Sequence, residues 1–311
     1  MGKIKILAIV GGLIALSTAV MIGWILFGNR VDTSEQLQLG LRLARKGDYA
    51  TAAKLAQSLD KSKFQKRSET ATLHFLVGAA ARQTAELLQH RPSRTLKNEE
   101  AVVELQKSRE LKFPPGYEGI GNYMLGMALY ELFRWEEAIE PLTIASDRWP
   151  KGRDEAVERL IDIDLYSDHP NPESAMQRLE RWSALSALTP SDVDRITVKR
   201  MEIHCQQGDH MRVEPLWQSI VMESPMRSNA NLILARCLRQ QAQEKDPPSV
   251  SSDRRQKAMS HLKEIDTLRN VPTDIRRRSM FEEGLLFRDS GETRQAVSAM
   301  SSLRLSSPFE P

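Results

Sequence analysis

The stretch NYMLGMALYELFRWEEAIEPLTIASDRWP, residues 122–150, decides how this chain is read. Gly126, Phe133, Trp135, Ala138, Leu142, Ala145 and Pro150 stand in it at the offsets needed by two antiparallel helices packed around one tight turn. Gly126 and Ala138 mark the places where two backbones come close, because only small residues allow that approach. Trp135 fills the turn end of the pair. Pro150 ends the second helix, since proline has no backbone N–H to give and its ring clashes with the preceding turn. The same offsets of 7, 9 and 12 recur from Gly40 to Gly47, Tyr49 and Ala52. They recur from Gly284 to Gly291, Thr293 and Ala296, with Pro308 a further match at 24, and from Met201 to Gly208, His210, Val213 and Pro225. Four matches to one template make this a repeat sequence.

These spacings resemble the tetratricopeptide repeat. Leu160 lies 34 residues after Gly126 and Ala235 lies 34 after Met201, the repeat length of that family. HFLVGAAA (residues 74–81) supplies another first helix centred on Gly78, whose partner runs through Ala101, Leu105 and Ser108 to Phe113 and Pro114. This second unit carries extra residues around HRPSRTLKN, and the sixth carries a similar excess at KDPPSVSSDRR before Ala258, Leu262 and Ile265. The excess is expected to form loops, since each repeat contacts only its neighbours and tolerates insertions. No segment alternates apolar and polar residues with period two, so no sheet is expected. The resemblance implies an all-α chain: about seven helix pairs in a right-handed superhelix over residues 34–311.

A second feature precedes the repeats. Residues 6–27, ILAIVGGLIALSTAVMIGWILF, carry no charge, and 22 residues at about 1.5 Å each suffice to cross a hydrocarbon layer of about 30 Å. Residues 1–5 hold Lys3 and Lys5, and the linker 28–33 holds Arg30 and Asp32. With the amino terminus the leading flank is the more positive, so residues 1–5 are expected in the cytoplasm and the repeats on the far side, the periplasm of a bacterium. The run is too long for the apolar part of a cleaved signal and ends in Trp24 and Phe27 rather than small residues. An uncleaved anchor in the inner (cytoplasmic) membrane is therefore expected. Gly11, Ala15, Ala19 and Gly23 lie four apart on one ridge, a stripe through which such helices can form a homodimer.

Composition fits exposed helices that each bury one stripe. Charged residues make up 27% of the chain, and a net charge of +3 is too small to imply nucleic acid. The runs Arg254–Arg255 and Arg276–Arg277–Arg278 lack interleaved aromatics and read as solvated helix faces. Cys205 and Cys237 are 32 residues apart, late in the first helices of consecutive units. Neighbouring helix axes lie about 8–10 Å apart and a bridge needs Cα atoms within about 7 Å, which favours two free, half-buried thiols. His204, Cys205 and His210 resemble a ligand set, but His210 occupies the turn-packing slot of Tyr49 and Trp135, so no metal is expected there. The adjacent pairs Glu136–Glu137 and Glu282–Glu283 point about 100° apart on a helix and cannot work as facing acid and base. No nucleophile, phosphate or haem motif occurs. Neither catalysis nor a cofactor is expected.

Tetratricopeptide arrays bind proteins or peptides in a concave groove lined by first helices. By register the resemblance places Leu37 and Leu41, then Phe75, Ala79 and Arg82, then Tyr123, Met127 and Tyr130, and finally Phe281, Leu285 and Arg288 in such a groove. Members that hold acidic C-termini carry Asn where this chain has Leu41, Met127 and Leu285, which speaks against a carboxylate clamp. The expected role is a membrane-anchored scaffold or adaptor in the cell envelope, serving secretion, envelope assembly or cytochrome maturation. An organelle import or tethering receptor with cytosolic repeats, and the non-catalytic part of a larger enzyme, are the alternatives. Phe281, Leu285 and Ala296 belong to the last pair, and part of its apolar wall is expected to be bare.

Overall fold

A computed structural model describes residues 33–59, 64, 66–185, 188–242 and 247–305. The apolar run 6–27, its Gly11–Ala15–Ala19–Gly23 stripe and Pro308 lie outside these residues. Among the described residues there is no strand, and no helix is long and apolar enough to cross a membrane. The chain is all-α. It forms two compact units that part between Leu132 and Phe133, where one repeat domain was expected.

The first unit contains α1 (Thr33–Arg45), α2 (Tyr49–Gln57), α3 (Arg67–Leu87), α4 (Arg91–Glu110) and α5 (Glu118–Glu131). The second contains α6 (Trp135–Arg148), α7 (Arg153–Tyr166), α8 (Pro172–Ser183), α9 (Pro190–Gln206), α10 (Val213–Ser219), α11 (Arg227–Gln241), α12 (Pro248–Thr267), α13 (Thr273–Asp289) and α14 (Thr293–Leu305). Taken two at a time these are seven consecutive helix pairs, as the template leads one to expect. The six pairs that lie within one unit pack helix on helix. First helices of successive pairs also touch: α1 with α3, α3 with α5, α9 with α11, and α11 with α13.

The reason for the shared register is visible in the turns. The residue seven past the template start has a left-handed backbone in all four matches: Gly47 at φ 88°, Phe133 at 58°, Gly208 at 72° and Gly291 at 78°. A residue in this conformation closes a helix by folding the chain back on the last carbonyls. Gly47 N–H donates to the Ala44 carbonyl at 2.9 Å and Asp48 N–H to that of Leu43 at 3.1 Å. Gly208 and Asp209 repeat this on Cys205 and His204, and Gly291 and Glu292 repeat it on Arg288 and Phe287. The second helix starts at once, so the template fixes the turn as well as the contact. The alanine or valine at offset 12 is buried each time: Ala52, Ala138, Val213 and Ala296. In the last pair Ala296 is buried while Phe281 is exposed.

From Arg91 and from Pro248 onward the two insertions are helix rather than loop. HRPSRTLKN opens α4, with Pro92 in its first turn, where the missing N–H would have had no intrahelical acceptor. Nothing between Ser93 and Glu110 breaks the helix. Pro248 opens α12 in the same way. The extra residues thus lengthen α4 and α12 to 20 residues each.

In the first unit, Phe75 of α3 stacks against Phe113 and Tyr117 with ring centroids 6.3 and 5.1 Å apart. The Tyr117 hydroxyl donates to the Leu41 carbonyl at 2.7 Å, tying α1 to the start of α5. In the second unit, Ile161, Leu165, Leu179, Trp182, Ile196 and Ile203 make one apolar layer between α7, α8 and α9. Met201, Val213, Ile233 and Cys237 belong to the next.

Candidate functional site

The groove positions expected from register do not share one environment. Leu37, Leu41, Phe75, Ala79, Arg82 and Met127 are buried. Phe75 has none of its surface exposed, and its ring contacts are internal, because α3 is covered by neighbours on several sides. Arg82 faces Glu86 at 3.3 Å on its own helix. Tyr123, Tyr130 and Leu285 are half-buried and Arg288 is exposed. Phe281 is 48% exposed, a large apolar surface left to water. It and Arg288 are the second-unit positions of the set open to a partner. Arg276, Arg277 and Arg278 are exposed, as a solvated face requires, whereas Arg254 and Arg255 are half-buried and donate to the Gln241 and Asp289 carbonyls.

A charged seam, not foreseen from the sequence, joins four first helices of the second unit. Glu158 of α7 accepts from Arg195 Nη2 of α9 at 2.6 Å. Asp162 of α7 and Glu202 of α9 both accept from Lys199 Nζ, the latter at 3.0 Å. The Tyr166 hydroxyl donates to Glu202. Arg236 of α11 lies 3.9 Å from Glu202 and 3.8 Å from Glu282 of α13. Arg239 donates to Glu282 at 2.9 Å and to Asp289 at 3.4 Å.

Burial opposes the charged forms of Lys199, Glu202 and Asp162, and their neighbours work against it with different outcomes. For Lys199 it is outweighed first by Glu202 and then by Asp162, which hold the ammonium charged well above its usual range. Burial likewise opposes the Glu202 carboxylate, but Lys199 and Arg236 pull it down to about 2. At Asp162 burial wins, with Glu202 adding to it, and the carboxyl sits above its usual range despite Lys199. The Tyr166 hydroxyl is kept protonated by burial and by Glu202. The seam holds acid, base and hydroxyl groups together, yet each is engaged with another across helices.

A second cluster lies at the end of α9. The ligand atoms of Cys205, His210 and Cys237 all lie within 4.8 Å of one another. His210 Nδ1 is 2.8 Å from Cys237 Sγ, and Cys205 Sγ donates to Gln240 Oε1 at 3.2 Å. Both cysteines are free, and they are buried rather than half-buried. His204, the sequence neighbour, turns instead toward Asp209, 3.7 Å away. The two thiols act on each other: Cys237 pulls Cys205 below its usual range, while Cys205, together with burial, pushes Cys237 above it. His210 and Cys237 also line a groove of about 430 Å³ with Leu234, Leu238, Lys257 and His261.

The signal for this cluster was present in sequence as two cysteines 32 apart, late in successive first helices. Reading only the local run His204–Cys205–His210 picks the wrong third partner. No model of a known protein family matches the chain, and no curated protein matches it.

Proposed function

We propose that this chain is a membrane-anchored helical-repeat scaffold that holds proteins or peptides in the cell envelope. The observation that supports it is the shared register of the helix pairs: one turn geometry, repeated at Gly47, Phe133, Gly208 and Gly291, with each pair packed on its neighbours. Arrays built this way grow in length and offer extended surface rather than one enclosed cavity. In this reading the pairs resemble tetratricopeptide units wound into a right-handed superhelix. Residues 6–27 anchor it by hydropathy alone, with the N-terminus in the cytoplasm and the repeats outside it. Tyr123, Tyr130, Phe281, Leu285 and Arg288 are the contact candidates, being exposed or half-buried; the buried members of the register support the fold.

Two measurements test it. An enzyme tag active only outside the cytoplasm, fused to the C-terminus, is expected to be active; activity only for a cytoplasmic tag would reverse the orientation. A photo-crosslinking residue placed in turn at Tyr123, Tyr130, Phe281 and Arg288 is expected to capture one recurring protein in intact cells. The exposed Glu136 and Glu140 serve as comparison sites. Equal capture at both sets, or none at either, would end the scaffold reading at these residues.

A further inference from the structure

We infer that Cys205, His210 and Cys237 form a binding site for a single thiophilic d¹⁰ cation, zinc(II) or copper(I), clipping α9 to α11. Three elements deliver the donors: the last turn of α9, the short 3-10 turn His210–Arg212, and the middle of α11. Donors on one zinc ion, at about 2.0 Å for nitrogen and about 2.3 Å for sulfur, lie roughly 3.4–3.8 Å from each other. The observed set brackets that spacing, with every separation inside 4.8 Å and the His210–Cys237 pair at 2.8 Å. Opening that one pair by less than about 1 Å seats the ion.

The chemistry of the surroundings agrees. Thiolate and imidazole donors select zinc and copper over magnesium or calcium, which require oxygen. Two thiolates cancel the charge of zinc(II), so the zinc-loaded site is neutral and suits a buried position. Loading replaces two thiol protons, which leave to solvent, and nothing is oxidised or reduced. The Gln240 Oε1, 3.2 Å from Cys205 Sγ, or a water from the adjoining groove completes a fourth position. That groove, which His210 and Cys237 line, gives the ion its way in. The two cysteines belong to successive first helices, so the clip would tie one repeat to the next.

The test uses the full-length chain in detergent micelles, reduced and stripped of metal. Cobalt(II) serves as the spectroscopic probe for zinc. One cobalt per chain is expected to bind with thiolate-to-metal charge transfer and the ligand-field bands of a tetrahedral ion, and zinc is expected to displace it. Cys237→Ser and His210→Ala should each weaken binding by more than the roughly 10–100-fold lost with a supporting hydrogen bond, while His204→Ala leaves it unchanged. In the unmodified protein, where no variant can misfold, zinc should shield both cysteines from alkylation. If copper(I) shields them and zinc does not, copper is the occupant. Shielding by neither metal, cobalt bands without charge transfer, or a Cys205–Cys237 disulfide in protein isolated under air would overturn the site.

Discussion

Gly78→Ala should destabilise the first unit, and Gly284→Ala, at the equivalent slot of the last pair, should not. A Cβ on Gly78 would stand 2.7 Å from Leu105 Cγ, 3.0 Å from the Leu105 backbone nitrogen and 3.2 Å from Glu104 Cβ. Carbon contacts settle near 3.5–4.0 Å, so α3 and α4 must part by several tenths of an ångström along a face where one obstacle is backbone. Overpacking of this kind costs about 1–3 kcal/mol, against about 1 kcal/mol gained by alanine over glycine within a helix. The expected net loss is up to about 2 kcal/mol. At Gly284 the new Cβ meets only Met300, with Cε at 2.8 Å and Sδ at 3.2 Å. A methionine end can swing aside, so the helix gain dominates and the variant is expected to gain about 0.5–1 kcal/mol. Repeat arrays open locally, so the readout is amide hydrogen exchange in Arg67–Leu87 and in Thr273–Asp289 rather than a single melting point. Faster exchange in α3 for Gly78→Ala, with unchanged or slower exchange in α13 for Gly284→Ala, is the expected pair of results. Unchanged protection in the first variant, or equal losses in both, would refute the claim that backbone contact distinguishes these two glycines.

Gly208→Ala places a side chain where nothing lies within 4 Å but φ is +72°, so its cost of about 1–2 kcal/mol is purely conformational; a thermal melt no lower than wild type would refute this. Removing one partner from the seam, as in Glu202→Gln, leaves Lys199 and Arg236 short of a buried counter-charge and should cost about 3–5 kcal/mol in a denaturant titration. Acid should weaken the second unit in two steps. Burial lowers the proton affinity of His204 and His261 in the fold, so their contribution is present above the ordinary imidazole value of about 6.5 and is lost as pH falls below it. Glu202, lowered from 4.5 to about 2 by Lys199 and Arg236 against the burial that opposes them, loses its contribution between those values, on the order of 3 kcal/mol. Asp162, raised by burial, acts in the opposite sense, so the Glu202 part is read as the difference between wild type and Glu202→Gln at pH 6 and pH 3. A difference that does not shrink on acidification would contradict the assignment.

The helix pairs were legible because two constraints are written locally. A left-handed helix end asks for glycine, and a close helix contact asks for glycine or alanine, so Gly40 with Gly47 and Gly284 with Gly291 announce a turn and a contact together. Phe133 occupies the same left-handed slot at φ 58°, and it could be placed only through its neighbours Gly126 and Trp135. HRPSRTLKN misled because proline and polar residues suggest a loop, whereas proline in a first helical turn is a start signal. The groove residues misled for a different reason. Register tells which helix a residue belongs to, but Phe75 and Tyr123 differ in exposure through neighbours distant in sequence. The seam escaped because apolar periodicity counts only apolar residues, and Asp162, Lys199 and Arg239 sit at the margins of that stripe.

The seam also bears on where a partner can be held in the second unit. Its acids and bases satisfy one another across α7, α9, α11 and α13: Glu158 with Arg195, Asp162 and Glu202 with Lys199, Glu282 and Asp289 with Arg239. Such buried pairs add little net stability compared with apolar packing, but breaking one is expensive. Sliding a helix by one turn, about 5.4 Å, would separate Asp162 from Lys199 and Tyr166 from Glu202 at once. The seam therefore resists slippage between first helices more than it binds. A partner drawn to charge alone would have to pull these groups from contacts they already make. The exposed apolar surface of Phe281 can be covered without breaking any of these pairs. Arg288, two turns on, already donates to Asp289 at 3.0 Å, so Phe281 is the less costly place for a partner to dock.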